Sequence, residues 1–411
     1  MKILGFILLA IIAILLIAIL VAVVRTILMK PKYKLGEALP VDEKRSDAYA
    51  KKLAEMLSKE TISVAGEKDK SKFLQFHEIL KNMYPNVHKT CEKTELNGNL
   101  IFKWKGKSAQ KPILFMSHHD VVEANGEWKH PPFCGDVFND EGEKVVWGRG
   151  AVDTKASLMC FMQAAEEMIG EGYVPENDVY LASSCTEELG GEGGPMLAKH
   201  LKDKGVHLAM LIDEGGMMMN EPIAGAKGTF AMIGVLEKGY GDVKFIAKGN
   251  GGHASAPPKN SPIARLAAFV NSVEKKNPFV SKFPNVVKEM FTRVAPTMPF
   301  MMKMIFGNLW LFGGLLKKLM PAISAPGAAM LRTTIAFTMQ SGSAGYNVLP
   351  QEAYVTANLR YIPHQATDEA NEILKTRAAK YNVDTEFIYK GYPTAEVDIN
   401  DPRPALVRGV E

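Results

Sequence analysis

The sequence has few cysteines, no strong charge of either sign and no phosphate-binding loop. Only four of its 411 residues are cysteine, and none stands in the Cys-x-x-Cys spacing of a structural zinc site. The 49 basic and 45 acidic residues give a formal net charge of +4, so no basic excess is available for binding nucleic acid. Lys105-Gly106-Lys107-Ser108 lacks the glycine that a phosphate loop needs at position 101. We exclude these classes, as well as a disulfide scaffold, and predict four buried thiols.

The amino terminus contains a long run without charge. From Ile3 to Val24 the residues are almost all Ile, Leu, Val and Ala. As a helix this run is roughly 33 Å long, enough to cross a hydrocarbon core of about 30 Å. We predict an uncleaved, single-pass membrane anchor in contact with lipid. A cleaved signal peptide, which would make the protein secreted, and a buried core helix are the alternatives. Basic residues flank the run on both sides, so the side of the membrane stays open.

The first half of the chain after this run alternates between predicted strands and helices. Pro112–Met116, Val179–Ser184 and Val206–Ile212 are apolar strand patterns, and Lys155–Ile169 has the spacing of an amphipathic helix. The length suggests about two domains, and the 47% hydrophobic content is enough for sizeable cores. Alternating strands and helices predict an α/β domain with a mainly parallel sheet.

The pattern changes near Gly228, where strands become more frequent than helices. This order predicts a separate two-layer α+β domain, ferredoxin-like in its element order. We expect Thr229–Val235 to pair with Val243–Ala247. Between the elements, Pro299–Pro321 is rich in Met, Phe, Leu and Trp; it is predicted as a buried helical insertion, or alternatively as a membrane-facing or dimer patch. The remaining predicted elements are helices Pro262–Lys275 and Asp368–Tyr381 and strands Thr333–Met339, Ala353–Leu359 and Thr385–Tyr389.

Candidate metal ligands follow several of the predicted strands. In open parallel sheets, ligands bind beyond the carboxyl ends of the strands. Imidazole combined with several carboxylates suits zinc, manganese or cobalt. Asp120 is a candidate to hold the other ring nitrogen of a metal-bound histidine. Adjacent acids point in different directions along an extended chain, so one of Glu187 and Glu188 can bind metal while the other acts as a general base. The candidates are His118, Asp120, Asp153, Glu187, Glu188 and Asp213.

Four segments carry these residues in a familiar order. Ser117–Val122, Gly148–Lys155, Thr186–Gly191 and Leu211–Gly216 resemble the successive motifs of the M20 family of metallopeptidases. The last segment is similar to the branch with the Gly-X carboxypeptidase and the secreted N-acyl-amino-acid hydrolases. The resemblance covers about residues 45–395. One departure is Thr186, where the family usually has Asp; we expect it to be tolerated.

The resemblance implies a role for each candidate. His118 and Asp213 would hold one divalent metal and Glu188 the other, with Asp153 bridging both. Glu187 would be the general base and Asp120 the orienting acid. The implied function is hydrolysis, by metal-bound hydroxide, of a peptide or N-acyl amide bond next to a free carboxylate, as in carboxypeptidases, dipeptidases and aminoacylases. The implied cofactors are two divalent ions, with zinc the first choice and manganese or cobalt as alternatives.

The smaller domain resembles the lid and dimerisation domain of the family. His253, in the glycine-flanked loop 251–258, would reach a neighbouring active site and stabilise the oxyanion, which implies a homodimer. Asn347 and Arg360 resemble the substrate-binding pair of the family. Arg360 could grip a substrate carboxylate; an ion pair at the end of a strand is the alternative.

The sequence divides into four predicted parts. They are an anchor or signal (1–30), a catalytic metal-binding domain (31–227), a lid and dimerisation domain (228–390) and the start of a return to the catalytic domain (391–411). The family's second metal also takes a late histidine, but no histidine follows His364. We therefore expect a C-terminally truncated sequence whose own activity is weak or absent. A membrane-tethered binding protein with a degenerate metal site is the alternative.

Overall fold

The computed structural model describes residues 2–31 and 40–394, and the chain forms two compact units. The middle unit comprises residues 36–215, and the split unit combines residues 1–35 with residues 216–411. The units therefore divide ahead of the predicted boundary between residues 227 and 228. Most of the predicted return segment, residues 395–411, lies outside the described residues.

The amino-terminal run forms one long helix, α1 (Lys2–Leu28). Among the described residues, this is the one helix that is long and apolar enough to cross a membrane. From Ile3 onwards its side chains are exposed almost throughout, and of these only Ala22 and Thr26 are buried. A buried core helix is therefore the wrong interpretation of this run.

The middle unit is built around a five-stranded sheet in the order β1-β2-β6-β3-β7. A hairpin of β4 and β5 lies outside this sheet. The elements of the unit are α2 (Glu43–Ser58), α3 (Ser71–Met83), α4 (Pro85–Thr90), β1 (Glu92–Leu96), β2 (Asn99–Trp104), β3 (Ser108–His118), β4 (Val137–Asp140), β5 (Glu143–Val146), α5 (Ala156–Gly170), β6 (Asn177–Ser184), α6 (Gly193–Asp203) and β7 (Met210–Ile212).

The sheet is mixed rather than mainly parallel. β3 runs parallel to β6 and β7, whereas β2 runs antiparallel to both β1 and β6. The antiparallel half begins with the two-residue turn Asn97-Gly98, whose φ angles of 51° and 88° are the left-handed values that a tight hairpin requires. The prediction of a mainly parallel sheet missed this hairpin. The strands that precede the candidate ligands are the parallel ones.

Helices cover both faces of this sheet. Successive strand residues point to opposite faces, and Leu181 packs in one hydrophobic cluster while Ala182 packs in another. The larger cluster includes the buried side of α5, with Leu158 and Met162, as the helical spacing predicts. Cys160 is exposed on the same helix and Cys134 is only partly buried, so the prediction of four buried thiols holds for Cys91 and Cys185 alone.

The split unit contains a four-stranded antiparallel sheet in the order β12-β14-β10-β15. The order of its strands and its two covering helices along the chain is β-α-β-β-α-β, which is the predicted ferredoxin-like order. Its elements are β8 (Met217–Asn220), β9 (Thr229–Met232), β10 (Gly239–Lys248), β11 (Gly252–His253), α7 (Pro262–Lys275), α8 (Asn285–Val294), α9 (Phe300–Phe306), α10 (Leu309–Ile323), α11 (Ala325–Leu331), β12 (Thr334–Ser341), β13 (Val348–Leu349), β14 (Glu352–Tyr361), α12 (Thr367–Ala379) and β15 (Asp384–Lys390).

The core of the split unit lies between its sheet and the helices α7 and α12. Phe245 of β10, Phe269 of α7 and Leu374 of α12 are fully buried in one cluster. The predicted pairing of Thr229–Val235 with Val243–Ala247 is wrong. β10 has β14 on one side and β15 on the other, so no edge of β10 is free, and β9 pairs with β8 instead.

Candidate metal centre

The centre is organised around the imidazole of His118. This residue ends β3, where its backbone stands beside Ser184 of the parallel strand β6, and its side chain is 1% exposed. Nδ1 lies 2.9 Å from the backbone oxygen of Asp120. A carbonyl oxygen only accepts hydrogen bonds, so Nδ1 carries the proton. Nε2 is therefore the nitrogen that faces the remaining groups of the centre.

Three carboxylates surround this nitrogen. Nε2 lies 2.9 Å from Asp153 Oδ1, 3.1 Å from Glu214 Oε2 and 3.8 Å from Glu187 Oε2. One ligand atom from each of His118, Asp153 and Glu214 falls within 4.8 Å of the others. One imidazole and two carboxylates form a donor set that suits zinc, manganese or cobalt. The structure thus assembles a candidate cation site from three separate loops of the middle unit.

The electrostatics of the centre favour a cation. Burial opposes a charge on His118, but the hydrogen bonds that its ring donates to the carboxylates of Asp120 and Glu214 outweigh this effect and raise the pKa of His118 to about 11. Burial, reinforced by Glu214 and Glu188 against the opposing effect of His118, raises the pKa of Glu187 to about 7. Burial also raises the pKa of Glu188 and of Asp213. The acids are crowded beyond what one imidazolium neutralises, so the residues present fit a divalent ion.

Asp120 connects two of the loops. It is fully buried, and its carboxylate accepts the backbone N–H of Glu187 and that of Glu188, both at 3.1 Å. Its Oδ1 also lies 3.5 Å from Nδ1 of His118, whose shorter hydrogen bond goes to the Asp120 backbone. Asp120 therefore holds the turn that follows β6 beside the end of β3. The structure brings Asp120 and His118 together, as the sequence predicts.

The hydrogen bonds of the buried Lys155 hold the loop that carries Asp153 in place. This lysine is fully buried, and its Nζ donates to the carbonyl oxygens of Met56 and Lys59 at 3.0 and 2.9 Å. Gly150 begins the turn with φ at 82°, a left-handed value that glycine adopts without a steric cost. The Asp153–Thr154 peptide is cis. Two residues before the buried lysine, the Asp153 side chain is 67% exposed, as a ligand at the mouth of a site requires.

The cluster contains Glu214, which the sequence-based prediction did not include. Asp213, which it did include, uses Oδ1 to accept the backbone N–H of Glu214 at 2.9 Å and lies outside the three-residue cluster. Glu188 also lies outside that cluster, although Asp153 is close enough to contribute to its raised pKa. The signal for Glu214 was present in the sequence. The side chains of adjacent residues in an extended chain point in different directions, so Glu214 is as much a candidate ligand as Asp213, just as Glu187 is beside Glu188.

A pair of matched variants decides between these neighbours. If Glu214 binds the ion as its position indicates, Glu214→Gln should weaken zinc affinity by about 10–100-fold or more, because even outer-shell partners of a metal have effects of that size. Asp213→Asn should change it little. Zinc affinities of both variants, measured by competition with a chelating dye, test this. A large loss in Asp213→Asn with none in Glu214→Gln would make Asp213 the ligand.

The predicted residues of the smaller domain lie in the split unit. His253 pairs with Val348 between β11 and β13, and the carbonyl of the adjacent Asn347 accepts the N–H of Ala254 at 2.9 Å. The His253 ring is exposed, with Nδ1 2.8 Å from the hydroxyl oxygen of Ser255. His253 and Asn347 are thus brought together on one short ladder.

Arg360 is not brought to the same place. It lies within β14 rather than after the strand, opposite Tyr240, and its guanidinium stands 4.8 Å from the Tyr240 ring centre. The strand begins at Glu352, so Arg360 is about 27 Å along it at about 3.4 Å per residue. The alternative of an ion pair also has no support, since no such pair involves Arg360 among the described residues.

Known structures share this fold. The M20 family metallo-carboxypeptidase Sso-CP2 from Sulfolobus solfataricus superposes with a TM-score of 0.59 at 18% identity, covering 90% of this chain and 83% of the other. Human carnosine dipeptidase 1 gives a TM-score of 0.55 at 14% identity, covering 90% and 82%. The chain therefore has the same fold as these two proteins.

The sequence comparisons define the family. The model of peptidase family M20/M25/M40 matches residues 114–405, and the chain belongs to this family. The probable carboxypeptidase S-like 2 of Dictyostelium discoideum is 32% identical over 78% of this chain and 62% of its own length. The human N-fatty-acyl-amino acid synthase/hydrolase PM20D1 is 31% identical over 79% and 64%. The predicted branch is thereby confirmed. The chain spans about three fifths of the length of these relatives.

Proposed function

We propose that this protein is a metal-dependent hydrolase of a peptide or N-acyl amide bond that lies next to a free carboxylate. The observation that supports it most directly is the convergence of Asp153 and Glu214 on Nε2 of His118, with Glu187 next to them. The names of the relatives, carboxypeptidase S-like proteins and N-fatty-acyl-amino acid hydrolases, indicate the substrate class.

In this proposal His118, Asp153 and Glu214 hold one divalent ion. Glu188, whose pKa is raised in part by nearby Asp153, is proposed to hold a second ion that shares Asp153. Zinc is the first choice, and the donor set also accepts manganese or cobalt. When bound, such ions would polarise the scissile carbonyl and lower the pKa of their bound water towards about 7.

Glu187 is the proposed general base. Its carboxylate lies at the edge of the cluster, about half exposed, so that it can reach both the centre and the solvent. A carboxyl with a pKa of about 7 can take a proton from water and return it to the leaving amine within one cycle. Asp120 positions this base, because it binds the backbone N–H of Glu187 itself.

The split unit would contribute to substrate binding. We infer from the resemblance that His253 donates to the developing oxyanion in a second copy of the chain, which makes the enzyme a homodimer. The Nδ1 hydrogen bond to Ser255 leaves Nε2 of this exposed ring available. Asn347 and Arg360 are proposed to bind substrate, Arg360 through a carboxylate.

Metal removal tests the proposed function. Protein expressed from its complete gene should hydrolyse an N-acyl amino acid or a dipeptide, lose that activity after dialysis against a chelator and regain it with zinc or manganese. The matched control is the same compound with its carboxylate converted to an amide, which should be a poor substrate. Equal rates on acid and amide, or turnover that survives chelation, would contradict the proposal; metal binding without turnover would favour the binding-protein alternative.

We further propose that α1 is an uncleaved membrane anchor. Its length and its almost complete exposure support a helix that meets lipid rather than protein. The protein should therefore stay with the membrane after carbonate extraction at high pH and should retain its N-terminal residues, as checked by mass spectrometry. Release into the supernatant, with a new N-terminus after α1, would show a cleaved signal.

A further inference from the structure

The segment of α9 and α10 is attached to the last turns of α1. Asn308, between the two helices, is fully buried, and its side-chain amide donates to Thr26 Oγ1 at 3.1 Å and to the Ala22 carbonyl at 3.4 Å. Lys303 of α9 donates to the carbonyl of Met29 at 2.6 Å. These contacts lie within one compact unit, so α9 and α10 have a defined height along α1.

If α1 spans a bilayer, the residues of α1 that Asn308 contacts lie at the edge of the hydrocarbon core. The midpoint of the uncharged run Ile3–Val24 falls between residues 13 and 14. At about 1.5 Å per residue, Ala22 lies about 13 Å and Thr26 about 19 Å from that midpoint. Half of a typical hydrocarbon core is about 15 Å. Asn308 therefore stands at the boundary between hydrocarbon and headgroups if α1 spans the bilayer.

The helix α10 presents an apolar stripe to solvent at this level. Leu315, Leu319 and Ile323 are spaced by four residues, so they share one side of the helix, and they are 57%, 44% and 79% exposed. Trp310 at its start is 53% exposed. Tryptophan is enriched at membrane interfaces because its ring is apolar and its N–H polar. The stripe is too continuous for an ordinary solvated helix face.

The charged residues of α10 and of the cavity beside it are basic. The sequence has no acidic residue between Glu289 and Glu352. Lys317, Lys318 and Arg332 line an open cavity of about 750 Å³ in which none of the lining residues is acidic. Arg332 Nε is buried and has no hydrogen-bond partner among the described residues. This arrangement suits an anionic headgroup.

We propose that the exposed α10 surface, which extends from Trp310 across the basic cavity to the stripe of Leu315, Leu319 and Ile323 on the other flank of the helix, inserts into the headgroup region of an anionic lipid membrane around α1. The proposal rests on α1 being a membrane anchor. A second copy of the chain fits less well, because two such surfaces face to face would bring lysines close together without an acidic partner. The membrane is the occupant continuous with the exposed sides of α1.

Brominated lipids test this surface in the full chain. The protein is reconstituted into vesicles of phosphatidylcholine with phosphatidylglycerol, with bromine close to the headgroup end of the acyl chains. The chain has four tryptophans, so quenching of Trp310 should remove up to about a quarter of the fluorescence. The variant Trp310→Phe should lose this quenchable fraction. Equal quenching in the parent and in Trp310→Phe would overturn the proposal.

A charge-insertion pair adds a control for folding. Leu315→Glu combined with Leu319→Glu should abolish the quenching of Trp310, whereas Ile388→Glu, at a 60% exposed position of β15, should leave it unchanged. Loss of quenching in all variants would mean that insertion does not depend on this surface. Replacing phosphatidylglycerol by neutral lipid should weaken the quenching, and no dependence on lipid charge would remove the role of the basic cavity.

Carbonate extraction and quenching together distinguish failure of the anchor from failure of the α10 surface. If α1 is cleaved, carbonate extraction releases the protein and the vesicles do not retain it. If α1 anchors the protein but the α10 surface is covered by a second copy, the protein stays in the vesicles and Trp310 is not quenched. Only the second outcome contradicts the surface while leaving the anchor intact.

Discussion

Replacing Glu187 with glutamine should lower kcat/KM by about 10²–10⁴-fold, the usual contribution of a general base, while the protein keeps its metal. Glutamine has nearly the same shape but cannot take a proton from water. The carboxylate of Glu187 is 3.8 Å from Nε2 of His118 and outside the three-residue cluster, so its loss should not remove the ion. The backbone N–H that Asp120 accepts is unchanged in the variant.

Two measurements belong together in this experiment. Steady-state rates on an N-acyl amino acid or a dipeptide give kcat/KM, and elemental analysis of the same samples gives metal per chain. Glu192→Gln is the matched control, since Glu192 is an exposed acid in the same turn, just before α6. A Glu187→Gln enzyme with undiminished turnover would remove Glu187 as the base. Loss of metal in this variant would make it a ligand instead.

Metal affinity should rise steeply with pH. Without metal, the carboxylates of Asp120 and Glu214 hold the pKa of His118 at about 11, so the ring binds a proton throughout the neutral range. An ion that takes Nε2 must displace that proton, which makes the affinity about tenfold higher per pH unit, or about 100-fold between pH 6 and pH 8. Glu187, with a pKa of about 7, releases a further proton at the lower end of this range.

The same groups set the stability of the metal-free protein. The pKa of His118 lies above its ordinary value of 6.5, so its stabilisation is complete below pH 6.5 and is lost as pH rises towards 11. The pKa of Glu187 is also raised, from 4.5 to about 7, so folding disfavours its charged form and stability falls between those two values. Both contributions decrease with rising pH. The metal should therefore raise Tm more at pH 8 than at pH 6.

Calorimetric titration with zinc in buffers of different ionisation enthalpy measures the released protons directly. We expect each zinc ion that binds at pH 7.5 to release at least one proton, from His118, and each ion that binds at pH 6 to release more. Glu187→Gln should remove the additional proton at the lower pH and leave the first. An affinity that is the same at pH 6 and pH 8 would show that His118 does not exchange a proton for the ion.

Where the strands that lead into the metal centre end could largely be predicted, because strand ends depend on local rules. An apolar run of strand length followed by a polar residue marks the carboxyl end of a buried strand. β6 ends at Ser184 as its run predicts, whereas β3 ends at His118, two residues beyond the predicted end at Met116. The parallel pairing of these strands then places the ends at one edge of the sheet. Helix α5 was also predictable, because its apolar spacing is regular.

Sequence patterns could not choose between adjacent acids. Asp213 and Glu214 follow a strand of only three residues, and which of them turns towards His118 depends on the backbone after Ile212. The hairpin of β1 and β2 was missed although Asn97-Gly98 marks it, because the alternation of strands and helices elsewhere favoured a parallel sheet.

Contacts between residues far apart in the sequence could not be predicted either. Nothing local to Pro299–Pro321 indicates that Asn308 binds α1, since the two partners are separated by 282 residues. The predicted choice between a buried insertion and an exposed patch was also too simple. One side of α10, with Leu316 and Met320, is buried, and the opposite side is exposed.

The bond between Thr26 and Asn308 has a consequence for how the protein is made. Translation at about 5–20 residues per second needs roughly 14–56 s to pass from one partner to the other. During that interval α1 has left the ribosome, and the whole middle unit, residues 36–215, emerges before the rest of the split unit exists. The middle unit can therefore begin to fold while it is an enclosed loop of chain, and the attachment of Asn308 to α1 comes later.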